Sequence, residues 1–186
     1  LKDSRMDGID ILKSVKRDNP DIPIVIISGH GNIEIAVGGD GNDVFIFAST
    51  TDFVAGESVT GGSGIDELRF TTTQAVTLVL SAGVAVEKVV IGTGVAATAV
   101  STATTAINID AAAVTAGITV IGNAGNDTLD GHTGTDTLDY SRQAAAVAID
   151  IAAATASSGA GDIDIISNFE IYLGGSGDDS IVGATG

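Results

Sequence analysis

Residues 122–139 read Gly-Asn-Ala-Gly-Asn-Asp-Thr-Leu-Asp and then Gly-His-Thr-Gly-Thr-Asp-Thr-Leu-Asp, two nine-residue units in direct succession. Each unit follows the pattern Gly-Gly-x-Gly-x-Asp-x-U-x, in which U is a large apolar residue. Further copies start at Gly38, Gly61 and Gly174. Because a unit of this length cannot bury a core alone, the pattern predicts a solenoid in which successive coils stack on one another.

Each position of the unit has a physical role. Glycines at positions 1, 2 and 4 permit backbone angles in a turn that other residues avoid. Position 6 supplies a carboxylate, and positions 7–9 form a short strand whose central side chain points inward. Stacked turns would bring carbonyl oxygens and carboxylates together, and calcium takes six to eight such hard oxygen ligands. The pattern therefore predicts calcium binding between the turns.

The composition excludes several classes of function. The chain has 186 residues and a formal net charge of −16, which disfavours binding to nucleic acid and anionic membranes and favours cations. It has no cysteine, which excludes disulfides and thiolate metal sites. Hydrophobic residues make up 44%, too many for a disordered acidic tail. We expect no membrane span, because no run of about 18 apolar residues occurs, and we find no classical signal peptide pattern.

Charge divides the chain into two segments. Residues 1–37 contain five Lys or Arg and six acidic residues, whereas residues 38–186 contain three Lys or Arg and 18 acidic residues. We therefore predict a boundary near Val37.

The first segment has the pattern of an α/β protein. The apolar spacing over Gly8–Asn19 predicts a helix. The unbroken apolar run Ile22–Ile27 is typical of a buried parallel strand. Residues Ile33–Val37 could open a second helix.

Three stretches of this segment, Met6–Leu12, Arg17–Pro23 and Ile26–Asn32, resemble the receiver domain of bacterial response regulators, especially the nitrogen-regulation type. The resemblance covers only part of a receiver. The family's phospho-accepting Asp would lie before Leu1, and the Lys of its last strand has no counterpart. A phosphorelay regulator is therefore an alternative function that the residues present do not favour.

The five nonapeptide copies resemble the RTX, or haemolysin-type, calcium-binding family. The resemblance implies a mainly β fold over residues 38–186, a parallel β-roll, preceded by the partial α/β fragment. It also implies type I secretion, a location outside the cell or on its surface, and Ca²⁺ as the bound ion. The ligands that it implies are Asp43, Asp66, Asp127, Asp136 and Asp179, with the backbone carbonyls of Gly39, Gly41, Gly62, Gly64, Gly125, Gly134, Gly175 and Gly177.

The copies are irregularly spaced. A regular roll of this family binds calcium between turns 18 residues apart, and no two copies here start 18 residues apart. Complete sites therefore require insertions or degenerate coils between the copies. His132 also stands where the pattern has a turn glycine.

Other functional patterns are weak. The Gly92-Thr93-Gly94 stretch mimics a dinucleotide-binding fingerprint, but the Thr-rich residues 98–105 that follow it have poor helix propensity. Neither His30 nor His132 has a set of catalytic partners, so we expect no catalytic residues and no enzyme. The Ala-, Thr- and Val-rich middle resembles surface-layer and adhesin segments, an alternative that would involve the cell surface or self-association.

Overall fold

The computed structural model describes residues 18, 25–28, 35–48, 57–72, 74–92, 106–159 and 161–183. Strands dominate these residues, and Asp18 alone among them is helical. The strands, in chain order, are β1 Val25–Ser28, β2 Ile35–Asp40, β3 Val44–Phe47, β4 Ser58–Ser63, β5 Glu67–Phe70, β6 Val76–Val79, β7 Val84–Ala85, β8 Lys88–Ile91, β9 Ile107–Asp110, β10 Thr119–Ile121, β11 Thr128–Asp130, β12 Thr137–Asp139, β13 Ala148–Asp150, β14 Thr155–Ser157, β15 Asp164–Ser167, β16 Ile171–Leu173 and β17 Ser180–Val182.

These strands form three sheets. The first sheet has the order β1-β3-β5-β8-β10-β12-β16, the second β17-β13-β14-β15-β11-β9-β6, and the third β2-β4-β7. Neighbours pair in parallel, except that β14 runs antiparallel to both β13 and β15. Between β1 and β16 the chain repeatedly leaves the first sheet for one to three strands of the other sheets and then returns to it, which is the path of a solenoid. The predicted mainly β, parallel β-roll architecture is confirmed.

The coils differ in length. Paired residues of adjacent strands in the first sheet are, in chain order, 19, 23, 21, 31, 18 and 34 positions apart. The longest step contains the hairpin β13–β14, which adds two strands to the second sheet between β15 and β17. The 18-residue step joins the repeat that starts at Gly131 to a segment without the motif. Insertions and degenerate coils thus separate the copies, as their spacing predicts.

The core lies inside the coils and is built from position 8 of the repeats. Phe45, Leu68, Leu129 and Leu138 are all buried in one apolar cluster that runs through the stack. Each such side chain contributes about 1.5–3 kcal/mol by leaving water. Ile181, at the same position of the last full copy, is 47% exposed because β17 is an edge strand of its sheet.

The N-terminal expectations have mixed outcomes. The predicted helix over Gly8–Asn19 lies outside the described residues except for Asp18, which is helical. The predicted strand is present from Val25 and pairs with β3. The expected helix opening near Val37 is wrong: Ile35–Asp40 is strand β2, because it pairs in parallel with β4. Since β2 runs through Val37, the boundary there stays a prediction.

The Val-rich run Val84–Ile91, which contains Glu87 and Lys88, is divided in the structure. The run forms two strands that belong to different sheets, β7 in the third and β8 in the first. The chain bends between them at Val86 and Glu87. This bend places Glu87 directly before a strand of the first sheet, where the repeats place their aspartates.

Candidate metal centre

The position-6 aspartates lie directly before the repeat strands, at the turns of the coils. Asp43, Asp66, Asp127 and Asp136 are buried, whereas Asp179, beside the edge strand β17, is exposed. Burial of a carboxylate is costly unless the group is hydrogen-bonded or paired. The partners of these carboxylates therefore decide what the turns can do.

Four of these aspartates share one contact with the coil before them. In each, the Oδ1 oxygen accepts a hydrogen bond from a backbone N–H of the preceding coil. The donor is the residue that stands opposite the aspartate in the strand pairing. The donor–acceptor distances are 2.7 Å for Asp43 N to Asp66, 2.8 Å for Ile107 N to Asp127, 2.8 Å for Ile118 N to Asp136 and 2.8 Å for Val147 N to Asp179. Each carboxylate thus ties two coils together before any ion is considered.

Two of the predicted aspartates are stacked directly on each other, Asp43 and Asp66. Asp127 and Asp136 belong to consecutive copies but precede strands of different sheets, the second and the first. They therefore belong to separate stacks of turns. The five predicted ligands are distributed along the solenoid rather than gathered in one place.

Three further acidic residues, absent from the predicted ligand set, make the same contact in coils without the glycine motif. Glu87 accepts from Asp66 N, Asp164 from Asp127 N and Glu170 from Asp136 N, each at 2.8 Å. One sequence signal could have found them. Each stands two residues before an apolar residue of a short strand, as position 6 stands before position 8.

The glycines of the motif are required by close contacts between turns. A Cβ at Gly61, position 1, would lie 2.0 Å from Oδ2 of Asp66, the aspartate of the same copy. A Cβ at Gly62, position 2, would lie 2.1 Å from the carbonyl oxygen of Gly39, and the φ of Gly62 is +110°. The carbonyl of Gly39 therefore faces the next coil.

The remaining predicted glycines also lie at contacts between segments. The carbonyl of Gly41 faces Gly64 in the way that Gly39 faces Gly62. A Cβ at Gly134 would lie 3.0 Å from Gly117, and one at Gly175 or Gly177 would lie 2.6 Å from backbone atoms of Gln143 or Ala146. Gly125 instead donates its N–H to the Asn123 side chain at 2.7 Å.

Asp127 and Asp164, here called the acid pair, are fully supplied with hydrogen-bond donors. Asp127 accepts from Ile107 N at 2.8 Å and from Asn123 N at 3.1 Å. Asp164 accepts from Asp127 N and from the hydroxyl of Tyr140, a residue that is itself buried. Each carboxylate oxygen of the pair therefore already has a protein donor.

Burial perturbs the acid pair despite these donors. Desolvation raises the pKa of Asp127 to about 7, with repulsion from Asp164 as a smaller cause. Desolvation likewise raises the pKa of Asp164 to about 6, against the lowering effect of the Tyr140 hydroxyl. The pKa of Tyr140 is raised by burial, so its hydroxyl stays a donor. The pair lies where a proton or a cation would relieve unfavourable charge.

Asp136 differs from the acid pair. Its Oδ1 accepts from Ile118 N, but its Oδ2 is buried and has no hydrogen-bond partner. Burial raises the pKa of Asp136, and the carboxylates of Glu170 and Asp130 raise it further. A buried carboxylate oxygen without a donor is the kind of oxygen that a hard cation such as calcium takes as a ligand.

Side chains alone do not make a metal cage here. Within the described ranges, no group of three or more His, Asp or Glu side chains is placed to hold an ion together. A site at these turns must therefore draw on backbone carbonyls as well as carboxylates. Among the predicted carboxylates, Asp136 fits calcium because its Oδ2 oxygen lacks a donor, whereas the oxygens of the acid pair fit less well.

Comparison with known families identifies the repeats. The RTX calcium-binding nonapeptide repeat matches in four copies, over residues 28–54, 119–144 and 170–186, which is less than half of the chain. The copy at 61–69 lies outside these matches, yet the structure stacks it in register on the copy at 38–46. Structural equivalence thus extends the repeat beyond the matched segments.

The N-terminal part is similar to regulatory proteins. It is 57% identical over 37 residues to the nitrogen assimilation regulatory protein NtrX of Azorhizobium caulinodans, and 54% identical over 37 residues to an NtrX-like response regulator of Rickettsia bellii. Each match covers 20% of this chain, and the chain spans only 8% of the length of either relative.

No solved structure matches the chain. Helices that could cross a membrane are likewise not found among the described residues. The resemblances on which the sequence-based interpretation depends are both confirmed, and the repeats support calcium binding as the general function. The chain thus carries RTX calcium-binding nonapeptide repeats, preceded by a short segment similar to NtrX response regulators.

Proposed function

We propose that the turns of this solenoid bind calcium and that binding drives the folding of the coils. The observation that carries the proposal is the burial of four position-6 carboxylates at the turns, among them Asp136 with an oxygen that has no donor. Hard oxygen ligands of this kind suit calcium. The ligands proposed are those that the repeats imply, the five position-6 aspartates with turn carbonyls.

Electrostatics explains why folding would depend on the ion. Residues 38–186 contain 18 acidic residues and three Lys or Arg, so self-repulsion opposes compaction. The acid pair is already buried at a cost that its raised pKa values record. An ion that binds only the folded state adds its binding free energy to the free energy of unfolding.

The same coupling suits a protein that works outside the cell. Extracellular calcium-binding modules have dissociation constants on the order of 0.1–1 mM, weak enough to leave the sites empty where calcium is scarce. The chain would then stay unfolded inside the cell, where type I secretion could export it, and fold on meeting extracellular calcium. We propose a secreted or cell-surface location on this basis.

Calcium titration of the purified chain tests the proposal. Far-UV circular dichroism and calorimetry should show a gain of β structure and saturable heat between about 0.1 and 10 mM CaCl₂, with MgCl₂ as the control ion. Asp136→Asn should weaken binding, whereas Asp178→Asn, which removes the same charge from an exposed residue, should not. A wild-type chain that gave neither heat nor a spectral change would overturn the proposal.

A second candidate function is a structural segment of a surface layer or adhesin, stiffened by calcium. Exposed apolar side chains on two edge strands favour it: Ile171 and Leu173 of β16, and Ile181 and Val182 of β17. Open edge strands with exposed apolar residues promote association. Sedimentation velocity with and without calcium distinguishes the two, because a purely ion-binding module would remain monomeric.

The phosphorelay alternative rests on the short N-terminal match alone. Incubation with a small phosphodonor such as acetyl phosphate tests it, and we expect no phosphorylated product. We propose no catalytic role and no organic cofactor.

A further inference from the structure

Glu170 lies in a turn that lacks the nonapeptide motif, between β15 and β16. This turn stacks on the repeat that starts at Gly131, because Gly131 N donates to Ser167 O at 3.1 Å. Glu170 accepts a hydrogen bond from Asp136 N at 2.8 Å. This is the contact that Asp66, the aspartate of a following repeat, makes with Asp43 N. The position-6 stack therefore continues into a coil without repeat glycines.

Atoms of Asn168 and Asp136 lie close against Gly131. The place where a Cβ would stand lies 2.5 Å from the carbonyl oxygen of Asn168 and 3.0 Å from the carboxyl carbon of Asp136. Asn168 adopts a left-handed φ of 57°, a conformation that asparagine tolerates better than most residues. The carbonyl of Asn168 and the side chain of Asp136 thus both lie against Gly131, at a contact that only glycine permits.

The first pair of repeats has the same arrangement. The place of a Cβ at Gly38 lies 2.2 Å from Oδ2 of Asp43 and 2.4 Å from the carbonyl oxygen of Gly61 in the next coil. Asn168 therefore supplies the carbonyl that Gly61 supplies in the consensus pair. The irregular turn reproduces the oxygen arrangement of the motif with other residues.

The other two acids outside the motif do not combine these features. Asp164 has both carboxylate oxygens occupied by protein donors, Asp127 N and the Tyr140 hydroxyl. Beside Glu87, the three atoms nearest to the place of a Cβ at Gly61 all belong to Asp66, and none is a carbonyl oxygen of the next coil. At Glu170, the carbonyl of Asn168 from the same turn lies close to a buried aspartate, Asp136, whose Oδ2 has no hydrogen-bond partner.

We propose that Glu170 is a further calcium ligand, which acts with Asp136 and the carbonyl of Asn168 in a site between the repeat at 131–139 and the turn at 167–170. The proposal rests on the calcium binding proposed above. It assigns half of the site to a turn that has no repeat glycines.

The test compares Glu170→Gln with Asp178→Asn by calorimetric CaCl₂ titration. The Gln side chain retains a carbonyl oxygen for Asp136 N and removes only the charge, so the calcium-saturated circular dichroism spectrum should match that of the wild type. We expect Glu170→Gln to lose one site or to bind there at least about tenfold more weakly. Asp178→Asn should bind as the wild type does.

A double variant keeps the two proposals separate. If Asp136 and Glu170 share an ion, Asp136→Asn combined with Glu170→Gln should lose no more affinity than the more damaging single change. Wild-type binding with unaltered binding by Glu170→Gln, or strictly additive losses in the double variant, would refute the role of Glu170 and leave the proposed function intact. Absence of binding by the wild type would refute both.

Discussion

The hydroxyl of Tyr140 should be worth more to stability than an ordinary tyrosine hydroxyl, and Tyr140→Phe tests this. The hydroxyl donates to Oδ2 of Asp164, and both side chains are buried. In Tyr140→Phe this carboxylate oxygen would lose the hydroxyl donor at a buried position. Hydrogen bonds to charged groups contribute about 1.5–3 kcal/mol, so we expect the free energy of unfolding to fall by about 2 kcal/mol. For a chain of this size that is a decrease of about 4–8 °C in melting temperature.

The matched control is Tyr172→Phe. Tyr172 donates to the backbone carbonyl of Phe169 at 2.8 Å from a partly buried position, and that acceptor is neutral. Its loss should cost about 0.5–1.5 kcal/mol. Both variants are measured by urea unfolding in saturating CaCl₂, so that ion binding is constant across the comparison.

Measurements at two pH values separate the contribution of the Asp164 charge from that of the hydrogen bond itself. The pKa of Asp164 is about 6, so the acceptor is ionised at pH 8 and mostly protonated at pH 5. The cost of Tyr140→Phe should therefore be greatest at pH 8 and roughly halve at pH 5, because bonds to neutral groups are about half as strong. A cost below about 0.5 kcal/mol at pH 8, or one no larger than that of Tyr172→Phe, would refute the reasoning.

Three further predictions concern the whole stack. The acid pair has folded-state pKa values of about 7 and about 6, above the ordinary 3.8, so the folded state binds protons more tightly than the unfolded state. The free energy of unfolding in EDTA should therefore fall as the pH rises from about 4 to about 7. A urea midpoint that rose over this range would contradict the prediction. Gly62→Ala should lower the calcium-saturated melting temperature because its Cβ would meet a carbonyl at 2.1 Å, whereas Gly183→Ala, with nothing within 4 Å, should not; equal effects would refute the close-contact argument. Leu129→Ala should cost about 2–5 kcal/mol and Ile181→Ala much less, since the same repeat position is buried in one and exposed in the other; urea unfolding that ranked them in the opposite order would count against the stacking.

Much of the fold was readable from the repeats because their period sets both the turn and the strand. Leu129 and Leu138 were expected to point inward and are fully buried. The error near Val37 has a different origin. A short run such as Ile35-Ala36-Val37 is compatible with helix or strand, and only its pairing with β4 selects the strand.

The candidate site was predictable only in part. The position-6 aspartates stand out in the sequence, whereas Glu87, Asp164 and Glu170 do not follow the Gly-Gly-x-Gly turn of the motif. Each meets its partner through contacts between residues 21, 37 and 34 positions apart, which no local pattern encodes. Because these separations in sequence are irregular, only the stacked structure shows which residues are hydrogen-bond partners.

A nine-residue period with glycine at the turns, aspartate at position 6 and an apolar residue at position 8 specifies a solenoid with carboxylates at its turns, and this much follows from the sequence. Tertiary structure alone decided which coils are neighbours, because insertions such as β13–β14 change the spacing from coil to coil. Neighbouring coils in turn determine which carboxylates have donors and which, like Asp136, retain an oxygen without one. The repeat pattern describes residues within one coil, whereas the oxygen atoms that would surround an ion come from two neighbouring coils.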